Sequence, residues 1–293
     1  MLYQAIRFRR GLLLAGALSL LPGLLVSVAA QVPPTEPVRL APITDHAAAA
    51  ERYAATDWRL IWGDEFERSG APDPAKWGYE HGRIRNGEAQ FYTTDRRENA
   101  RVEGGQLVIT ARREPWEGAA ITSASVVSEG KFTFKYGKLE IRAKIPTGRG
   151  AWPALWLLGE NWRKAGWPRC GEIDLMENVG FDPDRVHFTV HTRAFNHTKN
   201  TGVGRAITVP RPHEEYHRFG LIWTPARIEF FCDGRKVHEF ANDGKGEDHW
   251  PFDQPFHLLM NLAIGGAWGG QKGIDESILP LEYRIDYVRV WQK

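Results

Sequence analysis

The segment after Gly137 limits the fold most. Leu139, Ile141, Ala143 and Ile145 alternate there with Lys138, Glu140, Arg142 and Lys144. A period of two puts the apolar side chains on one side of an extended chain and the charged ones on the other. Such a strand belongs in a sheet with one face on a core and one in water. Other stretches read the same way: residues 58–62, residues 107–111 after Gly104-Gly105, the alternating Phe132, Phe134 and Tyr136, and residues 283–291. Residues 228–232 and 235–240 flank Asp233-Gly234, a pair suited to a two-residue type I′ hairpin turn. No long helical period interrupts them. Many short strands in one domain predict an all-β sandwich or barrel. The 42% apolar and 12% aromatic content of the 293 residues supplies a sizeable core for it.

One predicted strand carries a conflict. Glu172, Asp174 and Glu177 fall within Gly171-Glu172-Ile173-Asp174-Leu175-Met176-Glu177-Asn178, in the pattern E-x-D-x-x-E. Regular alternation puts Glu172 and Asp174 on one face and turns Glu177 into the opposite layer. A lone charge buried there is costly. One extra residue, a β-bulge, returns Glu177 to the side of Glu172. Two carboxyls brought together in this way suit a retaining glycosidase, which needs them about 5–5.5 Å apart. Crowded carboxylates cannot all ionise, so one pKa is expected to rise. With Glu177 protonated and Glu172 ionised, Glu177 is the acid and Glu172 the nucleophile. The pattern alone also fits a sheet face with solvated acids.

The surroundings decide between these readings. Residues 150–159 (GAWPALWLLG) followed by residues 167–177 (WPRCGEIDLME) resemble glycoside hydrolase family 16, and within it the bacterial laminarinase-like endo-β-1,3-glucanases. The likeness runs from about Trp58 to the C-terminus. It implies a β-jelly-roll sandwich of two antiparallel sheets with a concave substrate cleft. It also implies Glu172 as nucleophile, Asp174 as its assistant and Glu177 as acid/base, with no cofactor for catalysis. The expected activity is retaining hydrolysis of β-1,3-glucan. Relatives cutting mixed-linkage glucan or galactans, and non-catalytic β-glucan-binding proteins, are the alternatives; retention of all three acids argues against the last.

Further site residues rest partly on that resemblance. Trp152 and Trp156 share a strand face, which suits either a buried aromatic ladder or two sugar-stacking platforms; the likeness favours stacking. Asn86, in Arg85-Asn86-Gly87-Glu88-Ala89-Gln90-Phe91-Tyr92, lies in a stretch that lines the cleft in the family, with Arg85 and Gln90 as weaker candidates. His191 is either an ordinary strand histidine or, by the likeness, a group near the acid/base. Asn261 interrupts an apolar strand, and a buried amide needs partners that a cleft can supply. The glycines around Trp268 allow a tight turn, with Trp268 as cleft wall or loop packing. The resemblance also implies a structural Ca2+ held by the Glu65 and Gly105 carbonyls and the Asp286 carboxylate. Asp286 alternatively pairs with Arg284 or Arg289.

The N-terminus reads differently. Arg7, Arg9 and Arg10 precede an apolar run over residues 11–30 ending in Ser27-Val28-Ala29-Ala30, the layout of a secretory signal peptide cut after Ala30. A secreted or periplasmic protein is expected, with an uncleaved membrane anchor as the alternative. Residues 31–56 are rich in Pro and Ala and read as a linker with little core, containing one or two helical turns near residues 47–55. The catalytic domain then spans 57–293. Cys170 and Cys232 either pair or stay as buried thiols. A formal net charge of +2, without a basic block beyond the leader, excludes nucleic acid as the partner. The expected partner is β-glucan, and the expected state a monomer.

Overall fold

The computed structural model describes residues 43–293. The predicted signal peptide and the first part of the predicted linker lie outside these residues. Two sheets pack face to face as an all-β sandwich of the jelly-roll kind. One has seven strands, in the order Val203–Thr208, Arg185–His191, Glu172–Glu177, Ala151–Gly159, Phe256–Ile264, Ser125–Val127, Gly78–Tyr79. The other has ten, built on Arg235–Ala241, Arg227–Cys232, His217–Trp223, Gly137–Lys144, Leu281–Gln292, Gln106–Trp116, Ala119–Ser123 and Gln90–Tyr92. Arg59–Asp64 and Ala100–Glu103 join its side. Among the described residues, all strand pairings are antiparallel except that of Gln90–Tyr92 with Ala119–Ser123.

The core is the space between the sheets. Leu139, Ile141 and Ala143 face it from one sheet; Leu155, Leu157, Ile173, Leu175 and Met176 face it from the other. Each such burial contributes roughly 1.5–3 kcal/mol for a large aliphatic side chain. The predicted hairpin forms with Asp233 and Gly234 both at positive φ, 50° and 78°, as a type I′ turn requires. Both cysteines are buried and free.

Two expectations change. Phe132, Phe134 and Tyr136 alternate as a strand would, yet only Phe134 pairs, in an isolated bridge with Phe256. Tyr136 and Gly137 at positive φ break the extended run there. The second half of the predicted linker is not a loose spacer. His46–Ala54 is a helix, and its Ala49 and Tyr53 pack against Ile222 and Phe231 on the outer face of the ten-stranded sheet. The folded unit therefore extends upstream of residue 57.

Candidate active site

The bulge is present. Along Ala151–Gly159 the partners run Glu172 to Leu158, Ile173 to Leu157 and Asp174 to Trp156, then Met176 to Leu155 and Glu177 to Ala154. The four residues from Asp174 to Glu177 face only three on the neighbour, Trp156, Leu155 and Ala154. On the other side, Glu172, Asp174 and Glu177 lie opposite His191, Thr189 and His187. Leu175 and Met176 both enter the core, and all three carboxylates emerge on the outer face of the seven-stranded sheet. A strand without the extra residue would have exchanged Glu177 for Met176.

The carboxyl cluster is deeply placed. The Glu172 and Asp174 side chains are only 16% and 4% exposed. Burial pushes the carboxyls of Glu172 and Glu177 both up, and the Glu177 charge raises Glu172 further. Burial, then the charges of Glu172 and Glu177, raises Asp174 well above the usual carboxylate range. Only one rise was expected; all three occur, because the strand carries the whole group out of water. Opposing effects act locally. The Arg85 charge and a hydrogen bond from Trp167 favour the Glu172 anion. Trp152 Nε1 donates to Glu177 at 3.0 Å and favours its anion. These three carboxyls behave as one titrating unit.

His191 faces Glu172 and Asp174, at 3.7 and 3.4 Å from Nε2, rather than the acid at 177. Burial holds its pKa down to about 3, so it is neutral in ordinary buffers. The histidine opposite Glu177 is His187, also lowered by burial. His187 stands edge-on to Trp268 at 4.8 Å, and Trp268 edge-on to Trp152 at 5.6 Å. Trp152, Trp268 and His187 thus form one aromatic corner beside Glu177. Trp167, 40% exposed, leans over His191 and His197 on the Glu172 side. His187 and Trp167 were not among the candidates from sequence. The faint signal for each was its proximity to the acidic motif, in strand pairing for His187 and in the chain for Trp167.

Other candidates take supporting positions. Trp156 shares the predicted face with Trp152, but it is 93% buried among Val127, Ala154 and Leu259 (7% exposed). The Arg85 guanidinium covers its ring at 4.9 Å. It is part of the floor, closer to the buried-ladder reading than to an open platform. Asn261 finds its partners within the protein: its oxygen accepts from Trp156 Nε1 at 2.8 Å and its amide donates to Tyr92 at 3.0 Å. Arg85 is held by two hydrogen bonds to Glu80. Asn86 is exposed and donates to Glu88 at 3.1 Å; Gln90 and Tyr92 also donate to Glu88. Glu88 is therefore the hub of this loop, which the sequence reading passed over. Ala267 N donates to the Asn86 carbonyl at 2.8 Å, tying this loop to the glycine-rich one. A Cβ on Gly269 would sit 2.8 Å from Trp152 Cβ, so that glycine serves close packing of the loop on Trp152.

Comparisons with known proteins bear on the family and the fold. The profile for "Glycosyl hydrolases family 16" matches residues 87–289. A beta-glucanase of Rhodothermus marinus is 50% identical over 248 residues, covering 81% of this chain and 86% of that protein. The X-ray structure of the laminarinase from Rhodothermus marinus superposes with a TM-score of 0.79 at 49% identity, covering 80% of this chain and 97% of that one. A non-specific endo-beta-1,3(4)-glucanase from family GH16, co-crystallized with 1,3-beta-D-cellotriosyl-glucose, gives 0.79 at 42% identity, covering 81% and 96%.

Proposed function

The chain belongs to glycosyl hydrolases family 16, and from that membership we propose that it is a retaining endo-β-1,3-glucanase acting on laminarin-like chains. The observation that carries this reading is the bulge that sets Glu177 on the face of Glu172. Glu172 attacks the anomeric carbon while Glu177 gives its proton to the departing oxygen. A covalent glycosyl-enzyme forms and the aglycone leaves. Glu177, now a carboxylate, takes a proton from water, which attacks the same carbon and frees Glu172. Arg85 and Trp167 steady the Glu172 anion. Asp174, kept protonated by burial and by its neighbours' charges, can donate a hydrogen bond within the cluster. No cofactor is needed. Asn86, Trp152, Trp268 and His191 are proposed to meet the sugar, while Trp156, Asn261 and Arg85 shape and charge the floor. Export by the N-terminal segment, with a monomeric mature chain, belongs to the same proposal.

Proton NMR of laminarin digestion tests the reaction: β-anomeric reducing ends should appear first and convert to α only by mutarotation. Inversion, or binding without new reducing ends, would overturn the proposal. A panel including mixed-linkage glucan and galactans reads specificity. Laminarin should be cut fastest, with mixed-linkage glucan as a side substrate.

A structural calcium ion is a separate proposal. Gln106–Trp116 pairs with Leu281–Gln292 as far as Ile285, and Arg59–Asp64 pairs with it from Val288 onward. The end of one strand, at Glu65, and the start of the other, at Gly105, therefore meet beside Asp286. Asp286 itself lies at a register shift. Carbonyl and carboxylate oxygens gathered at such a gap suit a hard cation. Arg142 engages one oxygen of Asp286, which differs from the predicted partners Arg284 and Arg289 and competes with an ion. If calcium binds at about a hundred times its Kd, chelation should lower Tm by roughly 5–10 °C and leave kcat at low temperature unchanged. A Tm indifferent to chelator and to added calcium would remove the ion from the account.

A further inference from the structure

The acidic strand and its neighbour hold a group of donor atoms whose spacing hydrolysis does not explain. His191 lies directly opposite Glu172 in the strand pairing, and Asp174 follows Glu172 on the same face. His191 Nε2 stands 3.4 Å from Asp174 Oδ2 and 3.7 Å from Glu172 Oε1. Both gaps exceed the about 2.7–3.2 Å of an ordinary N–H···O bond. Asp174 Oδ2, on a side chain 4% exposed, has no hydrogen-bond partner among the protein's own groups. His191 Nδ1 is likewise buried without one. A buried oxygen left unpaired is costly, and calls for a partner from outside the chain.

The spacing is that of a metal site. The three donor atoms lie within 4.8 Å of one another. Ligands about 2.0–2.2 Å from a tetrahedral ion stand roughly 3.3–3.6 Å apart, the scale of the two gaps at His191. One imidazole nitrogen and two carboxylate oxygens form a borderline donor set that suits Zn2+, whereas Ca2+ takes about six to eight oxygens. All three side chains come from paired strands, which hold a site to its geometry better than loops do. A hydrogen bond from Trp167 orients Glu172, as an outer-shell partner orients a ligand. An ion here replaces the proton that burial keeps on Asp174 and supplies the positive charge the carboxylates lack. Among the described residues, His217, Cys232 and Asp233 form the other such group, but there His217 Nδ1 and Asp233 Oδ2 already close a hydrogen bond at 2.8 Å.

We propose that Glu172, Asp174 and His191 form a zinc site, and that Zn2+ bound there switches hydrolysis off by occupying the oxygen that attacks. Glu172 keeps 16% of its side chain exposed, so the ion enters from the cleft and carries water in its fourth position. The same carboxylate oxygen cannot hold the ion and attack the anomeric carbon. The inhibition rests on Glu172 being the nucleophile, as in the function proposed above; the binding does not.

Calorimetric titration of the full chain with zinc chloride tests the site, in a Cys232→Ser background so that the other group loses its thiol. One ion per chain should bind. Adding His191→Ala or Glu172→Gln should weaken binding at least about tenfold, since disturbing even an outer-shell partner costs about 10–100-fold. If His191→Ala does not fold, Glu172→Gln, which keeps the shape of the side chain, still decides. Zinc at ten times its Kd should cut laminarin hydrolysis to about a tenth at low substrate, by mass action. Calcium-loaded EDTA, which takes up zinc in exchange for calcium, should restore it. No saturable binding, or binding that both variants keep, would overturn the site. Full activity with zinc bound would overturn the inhibition. The two readings fail separately, because zinc binding is read as heat and glucanase activity as reducing ends formed without zinc.

Discussion

Glu172→Gln is expected to lower kcat on laminarin by about 10⁴-fold or more, the scale seen when a covalent nucleophile is removed. The substitution keeps shape and removes only the capacity to attack. It should not cost stability. The Glu172 carboxyl is raised by burial in the folded chain. A carboxyl whose folded pKa lies above its unfolded one destabilises the fold as pH rises past the unfolded value. The neutral amide escapes that cost, so Tm at pH 8 should match or exceed that of the unsubstituted protein. Calorimetry alongside turnover separates the two effects. Ordinary turnover by a correctly folded Glu172→Gln protein would remove Glu172 from the chemistry.

Glu177→Gln should cost about 10²–10⁴-fold in kcat on laminarin, the usual range for general acid–base catalysis. Its signature differs from that of position 172. A substrate with a good leaving group needs no proton, so glycosylation from an activated aryl glycoside should survive. The covalent intermediate then waits for a base that is gone. Azide, which attacks without one, should restore turnover and yield the β-glycosyl azide. The pH profile gives a second readout. The reactive form has Glu172 ionised and Glu177 protonated. It is lost as pH falls and Glu172 takes up its proton, and lost again as pH rises and Glu177 releases its own. Burial raises both groups, so the acid limb of kcat/KM should lie well above 4.5, the ordinary glutamate value. The basic limb should vanish in Glu177→Gln, because an amide has no proton to lose there. A basic limb that persists unchanged would assign it to another group.

Much of the architecture was legible because its signals are local. The alternation after Gly137, the Asp-Gly turn and the E-x-D-x-x-E conflict each depend on neighbours within a few residues. The predicted strands at 107–111, 228–232 and 235–240 all form, as does the bulge. The alternating Phe132, Phe134 and Tyr136 mislead because large aromatics can repeat every second residue without a strand partner to pair with. Here the backbone turns at Tyr136 and Gly137 before a ladder can extend.

Periodicity shows which side chains share a face, but not what covers that face. Trp152 and Trp156 share one, yet only contacts from Arg85, Asn261 and Glu177 separate a floor residue from one beside the acid. His187 and Trp167 enter the site by strand pairing and loop placement. The Tyr53–Glu140 hydrogen bond spans 87 positions in the chain. The sequence by itself determined the sheets, the hairpin and the need for a kink at 174–177, because alternation, turn chemistry and the cost of a buried charge act along the chain. Only the tertiary structure decided the raised carboxyl trio, the aromatic corner and the docked helix. Burial and close approach depend on residues brought together from distant parts of the chain.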